Sequence, residues 1–325
     1  MGALLAILGV LGFSFKAILI KLAYRWAPVD PVALLALRML YAAPFFVMLA
    51  WWTGRGAPRI APRDVRILIG LGFIGYYLSS LLDFLGLQYV TASLERLVLF
   101  LYPTIVVVLS AVFLGQPITR RAVAALALSY GGIALAVFHD VRITGDARAI
   151  ALGSTLVFAS AVGYAIYLVA AGGVIARLGS SRFIAWAMLA ATLFVSLHFG
   201  LTRPLSALDV PLAIQALALA MAFFCTVLPT WMIAESIRRI GASTSSLVGS
   251  LGPMFTIGFG ALLLDEPINL LQMIGVVLVL AGVIMVSRGS GRRRPARTDA
   301  VSTDASPLPA PPRTAFLAAI RRRAR

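Results

Sequence analysis

Cysteine occurs once in the 325 residues, at position 225, and histidine only at 139 and 198. An internal disulfide is therefore excluded, and no Cys/His constellation for zinc can be assembled. The chain contains no G-x-x-x-x-G-K-[ST] phosphate loop, no H-E-x-x-H and no G-x-S-x-G. It thus lacks the signatures of ATP-driven transport, zinc hydrolysis and serine hydrolysis, and no catalytic residue, metal site or cofactor is expected. Charge is scarce as well: Asp, Glu, Lys and Arg make up 12% of the residues.

Apolar residues fill the space. They account for 61% of the chain and the mean hydropathy is +0.96, which is more apolar surface than one soluble core can bury. A helical membrane span needs about 20 apolar residues at roughly 1.5 Å each. The runs predict ten such spans, at 2–22, 31–52, 66–89, 92–114, 120–138, 149–171, 183–202, 210–235, 242–264 and 269–287. Because the runs are continuous and do not alternate apolar with polar residues, they argue against a β-barrel. The expected fold class is an all-α polytopic membrane protein. The first run lacks a basic leader and is interrupted by Lys16, so it reads as a retained span and not as a signal peptide.

The formal net charge is +16, a value that invites a nucleic-acid hypothesis. Its distribution argues otherwise, because ten of the 26 arginines fall in residues 288–325, where only Asp299 and Asp304 oppose them. That tail is rich in Pro, Ser, Thr and Ala, has little to bury, and is expected to be disordered, with its basic clusters meeting anionic lipid. With a cytoplasmic amino terminus, the inner loops hold Arg55, Arg59, Arg63, Arg66, Arg120, Arg121, Arg177, Arg182, Arg238 and Arg239. The outer loops hold Arg25, Arg142, Arg148 and Arg203. This asymmetry follows the positive-inside rule and puts both termini in the cytoplasm of a cell whose inner (plasma) membrane carries the protein. Trp26, Trp51 and Trp52 then sit at head-group depth.

Shifting the chain by 150 residues lays 91–137 over 241–287. Ala92 then matches Ala242, Ser93 Ser243, Pro103 Pro253, Pro117 Pro267, Ile118 Ile268 and Gly132 Gly282. A repeat of this length is an architectural signal. It divides the chain into a first five-helix unit at 1–140, a second at 147–287 and the tail. Since five is odd, the second unit enters the membrane from the opposite face, and two inverted five-helix repeats are the plan of many secondary transporters.

The stretch RIGASTSSLVGSLGPMFTIGFGALLLDEPINLLQMIGVVLVLAGVIMV, from Arg239 to Val286, combines a proline-bearing helix, a Glu-containing turn and a Gly-bearing last helix. Together with LALRMLYAAPFF around Arg38, it resembles the EamA-type transporters of the drug/metabolite transporter superfamily. The resemblance implies ten helices in two inverted repeats and the movement of small metabolites. The chain departs from the family pattern at Gln116, where an acid is usual, and at Glu95 and Arg96, where small or apolar residues are usual.

Six charges lie in the outer part of the first unit: Lys16, Lys21, Arg38, Asp83, Glu95 and Arg96. Lys16, Arg38 and Asp83 share a level roughly 10 Å below the outer surface. On a lipid face each would cost about 3 kcal/mol or more, so they are expected to face the interior or a watery cavity. Neighbouring helix positions point about 100° apart, which predicts that Glu95 and Arg96 do not pair with each other. Two arrangements are open. In one, Lys21 and Arg96 snorkel outward while the other four charges form two structural ion pairs. In the other, Lys16 or Arg38 receives the acidic group of a substrate, and Asp83 or Glu95 is a proton-coupling acid.

Pro103 and Pro253, near the middle of their spans, are candidate hinges or tolerated kinks. Gly70, Gly72, Gly75, Gly131, Gly132, Gly249, Gly252, Gly258 and Gly260 are candidate points of close helix approach. Tyr102, Tyr164 and Trp231 are the candidate substrate-lining aromatics, with Tyr76, Tyr77 and Tyr167 as further rings of the same kind. The expected function is secondary transport by alternating access of a carboxylate-bearing solute such as an amino acid or organic acid; a channel or a membrane-embedded enzyme is the alternative. The expected partners are that metabolite and membrane lipid, with a second copy of the chain as a further candidate and nucleic acid excluded.

Overall fold

The computed structural model describes residues 1–115, 117–249 and 251–290. Gln116 and nearly all of the basic tail therefore lie outside the described residues. Every regular element among the described residues is helical. The α-helices are α1 Gly2–Trp26, α2 Pro31–Gly54, α3 Pro62–Leu71, α4 Ser79–Gly86, α5 Ala92–Leu99, α6 Tyr102–Leu114 and α7 Arg120–Thr144. They continue with α8 Ala147–Leu178, α9 Ser180–Thr202, α10 Leu212–Ala222, α11 Leu228–Gly249, α12 Gly252–Leu264 and α13 Leu270–Ser290. Among the described residues, eight helical stretches are long and apolar enough to cross a membrane, and Gly252–Leu264 and Leu270–Met285 are shorter apolar helices.

Helix starts follow local chemistry. Asp30 accepts from Val32 N and Ala33 N ahead of α2, whose first residue is Pro31, and Thr119 and Asp146 cap α7 and α8 in the same way. Such side chains satisfy amides that the first turn leaves without partners. Several helices outrun the apolar windows, α7 to Thr144 and α8 to Leu178, because Arg142 and Arg177 suit a carboxyl-terminal turn. The expected boundary between the eighth and ninth spans falls inside α11. There Ser236 Oγ and Ser245 Oγ are 3.3 Å apart, whereas nine residues on a straight helix cover about 13.5 Å. The chain thus doubles back within α11.

Four local geometries recur 150 residues apart. Gly72–Leu78 and Phe223–Val227 are both wound as π-helix. The chain breaks at Leu101 (φ −72, ψ −15) and again at Leu251 (φ −74, ψ −13), each two residues before a proline. Without an N–H, and with a ring that clashes with the carbonyl four residues back, proline interrupts the helix at that point; Pro103 and Pro253 therefore mark breaks and not gentle bends. Left-handed residues end α6 and α12, at Gly115 (φ 66) and Asp265 (φ 54). The fourth recurrence is in packing. A Cβ on Gly132 would lie 2.5 Å from Gly275 O, and one on Gly282 would lie 2.5 Å from Ala125 O, which is the same contact with the two halves exchanged.

Helices pair antiparallel across the halves. The start of α1 packs against the first part and middle of α11, where Gly2 meets Ile240 and Gly9 meets Ile233. Asp30, ahead of α2, pairs with Arg203, after α9, at 2.9 Å. Asp64 at the start of α3 pairs with Arg177 at the end of α8 at 2.5 Å. The largest apolar cluster lies between α1, α2, α4, α9 and α10.

The glycines divide. Gly72, Gly75, Gly132 and Gly260 touch another element closely, while Gly70, Gly131, Gly249 and Gly258 have nothing among the described residues within 4 Å of a Cβ. Hence Gly132→Leu is expected to destabilise the bundle by about 1–3 kcal/mol through overpacking, and Gly131→Leu, one residue away, to be nearly silent. Thermal unfolding of the two detergent-solubilised variants checks this.

Candidate functional site

Lys16 on α1 is the centre of the buried charges. Its Nζ lies 2.6 Å from Asp83 Oδ2 on α4 and 4.0 Å from Glu95 Oε1 on α5. Asp83 and Glu95 are 2% and 0% exposed. Among the described residues, no amide, hydroxyl or cationic group donates a hydrogen bond to Asp83 Oδ1 or to either Glu95 oxygen. Arg96 is buried too, donating from Nε to Thr256 Oγ1 at 3.1 Å and from Nη2 to Phe13 O at 2.5 Å. It therefore does not snorkel. Nor does it avoid its neighbour: Arg96 Nε is 4.0 Å from Glu95 Oε2, because both long side chains curl toward the same polar interior despite the angle between their Cα–Cβ bonds.

The single hydroxyl proton of Thr256 is shared between Ser14 O at 3.1 Å and Gly252 O at 3.2 Å, and Ser14 Oγ donates to Gly252 O at 3.0 Å. These hydroxyls tie α1, α5 and α12 together around Arg96. Nothing in the sequence marked Ser14 and Thr256, since single hydroxyls in apolar helices usually bond their own backbone.

Arg38 on α2 is different. It is 6% exposed, its Cζ lies 5.4 Å from the Phe84 ring centroid, and its Nε and Nη1 have no hydrogen-bond partner among the described residues. Among the described residues no carboxylate lies within ion-pair distance of it. Of the two cations proposed from the sequence, Lys16 is neutralised within the bundle and Arg38 is not.

The tyrosines converge. Tyr102 packs edge-on to Tyr164 (5.2 Å), Tyr164 stacks on Tyr167 (5.6 Å), and Tyr76 OH meets Tyr167 OH at 3.0 Å. Trp231 does not join them; it is 58% exposed, on the outside of α11. Tyr77 OH contacts His198 Nδ1 at 3.0 Å.

Beyond the charges, toward the carboxyl-terminal ends of α1 and α4, lies a cavity of about 540 Å³ lined by residues that include Lys21, Arg25, Leu87, Thr91 and Glu266. Lys21 donates to Leu87 O (3.2 Å) and Val90 O (2.9 Å), which also keeps it from snorkelling freely. Counting along α1, α4 and α5, the cavity residues Lys21, Leu87 and Thr91 are four or five positions from Lys16, Asp83 and Glu95, or roughly 6–7 Å of helix rise. Tyr76 and Tyr102 are seven positions away on the other side, roughly 10 Å. Cavity, charges and aromatic rings therefore form three successive levels along the same stretches of chain.

Known proteins resemble this one along most of its length. The model of the EamA-like transporter family matches residues 1–138 and again 151–288. The uncharacterized transporter YcbK of Bacillus subtilis is 31% identical over 300 residues, 90% of this chain and 93% of the relative. A probable terminal-alkyne amino-acid exporter of Streptantibioticus cattleyicolor is 27% identical over 250 residues, 75% of this chain and 80% of that protein. A solved crystal structure superposes with a TM-score of 0.60 at 20% identity, covering 90% of this chain and 98% of the other, a likeness of fold alone. With both matched segments together spanning most of its residues, the chain is a multi-pass membrane protein belonging to the EamA-like transporter family.

Proposed function

We propose that the chain is a secondary carrier that moves a small carboxylate-bearing solute, such as an amino acid or organic acid, by alternating access. Ten membrane crossings in two inverted five-helix halves provide the frame. The doubled family match, the antiparallel pairing of helices across the halves and the exchanged Gly132 and Gly282 contacts support it. Two similar halves of opposite sense can exchange conformations, giving inward-open and outward-open forms of comparable energy. The excess of arginine in one set of loops supports a cytoplasmic amino terminus.

The observation that carries the substrate class is Arg38. A buried guanidinium without an anion is a costly residue, and a solute carboxylate would supply two acceptors that its planar fork matches. The amino-acid substrate named for the Streptantibioticus relative belongs to the same chemical class. Glu95, buried between Lys16 and Arg96 with no amide, hydroxyl or cationic donor to either oxygen among the described residues, is the group we assign to proton coupling, with Asp83 holding Lys16.

Purified protein in proteoliposomes, offered a panel of amino acids, organic acids, polyols and amines with and without a proton gradient, tests this reading. Saturable uptake of carboxylate solutes with counterflow is expected. Movement of polyols or amines alone would overturn the anion assignment, unsaturable flux would indicate a channel, and product formed without net movement would indicate an enzyme.

A further inference from the structure

Helix α5 begins with its amides held by side chains from elsewhere in the chain. Thr91 N and Oγ1 donate to Asp140 Oδ2 at 3.2 and 2.8 Å. Ala92 N donates to Glu266 Oε1 at 2.8 Å, while Ser93 N and Ser93 Oγ donate to Glu266 Oε2 at 3.2 and 2.7 Å. One carboxylate from the second half thus takes three hydrogen bonds from the first turn of a first-half helix, where the helix dipole favours negative charge. Only one of these two carboxylates, Glu266, crosses between halves.

The turn that presents Glu266 is built for the purpose. Asp265 is the one non-glycine residue with positive φ among the described residues, and Glu266 N closes the turn by donating to Gly260 O at 3.1 Å. Gly260 leaves the space that the carboxylate needs, since a Cβ there would lie 2.7 Å from Glu266 Oε2 and 3.2 Å from Ser93 Oγ. Arg25 reinforces the arrangement, donating to Leu264 O and standing 3.9 Å from Asp265 Oδ2. Arg25, Thr91, Leu264, Asp265 and Glu266 line the 540 Å³ cavity, about one helical turn from the Lys16, Asp83 and Glu95 cluster.

We infer that Glu266 is the latch that closes this end of the transport path, releasing Ala92 and Ser93 when the two halves separate there. The inference rests on the carrier reading, to which it adds a gating residue. A carboxylate is suited to the task, because its bonds to the helix end are strong while water and Lys21, which lines the same cavity, are at hand to stabilise it once released.

The test uses the single native thiol. Cys225 is 2% exposed, and its rate of reaction with a membrane-impermeant cationic methanethiosulfonate, applied from each side of oriented proteoliposomes, reports opening without requiring any substrate. Glu266→Gln and Gly260→Ala are both expected to raise the rate from the cavity side at least about tenfold, the population shift that follows loss of a charge-assisted hydrogen bond. The second variant displaces the carboxylate while leaving its charge in place, so it carries the test alone if the first does not fold. Arg203→Gln, which breaks a different ion pair with Asp30 at this same end, is expected to leave the rate unchanged. Rates equal to wild type in both latch variants, or raised equally from both sides, overturn the latch. Failure of the carrier reading would appear separately, as absent counterflow with labelling still sided.

Discussion

Lys16→Met is expected to lower stability by about 3–5 kcal/mol, the cost of leaving a buried partner uncompensated, and to abolish transport. Asp83 loses its 2.6 Å contact and Glu95 one of its two cations at 4.0 Å, so two carboxylates, both almost wholly buried, are left with only Arg96, beside Glu95, in ion-pair contact. Asp83→Leu does comparable harm by leaving Lys16 only the longer contact to Glu95, at 4.0 Å. The double variant Lys16→Met/Asp83→Leu separates fold from function, because a buried ion pair replaced by apolar residues is often neutral or stabilising. It is expected to recover more than half of the lost stability, short of full recovery because Glu95 keeps only Arg96, and to recover no transport. Denaturant unfolding in detergent beside proteoliposome uptake measures both; if transport returned with stability, the pair would be a packing device only.

How far the site could be read from the sequence depends on what kind of physics sets each part. The depth of Lys16, Asp83 and Arg38 follows from helix rise and hydrophobic boundaries, which are one-dimensional properties, and the structure brings Lys16 and Asp83 together as that argument requires. Pairing is three-dimensional. The approach of Arg96 to Glu95 depends on χ angles of two long side chains, and the choice of Arg38 over Lys16 as the unpaired cation depends on which helix lies opposite. The π-wound stretches were invisible because a shift of hydrogen bonding by one residue needs no particular side chain. The break before each proline was half visible: proline predicted a disturbance but not an interruption that restarts the helix. Glu266 was noticed only as part of a family pattern, and its role became physical when Ala92 and Ser93 appeared 2.8 and 3.2 Å from it.

Arg38→Met is expected to leave the fold as stable as wild type or more so, while reducing the transport efficiency for a carboxylate solute by about 100-fold, roughly the worth of a charge-assisted pair of hydrogen bonds. The two effects have opposite signs for one reason. In the bundle Arg38 has Phe84 beneath it, an interaction of about 0.5–2 kcal/mol, set against a desolvation penalty of several kcal/mol for an ion with no carboxylate in ion-pair contact among the described residues. Desolvation wins, so an apolar residue of similar length relieves the bundle. Arg38→Lys retains the charge but loses the planar fork, and is expected to keep measurable transport at an efficiency about tenfold below wild type. Thermal unfolding and concentration-dependent uptake on the same preparations decide the matter. A residue kept for packing would behave the other way, with Arg38→Met unfolding at lower temperature and each folded molecule transporting at the wild-type rate. A stabilised but inactive Arg38→Met is the signature of a charge retained for the solute and not for the fold.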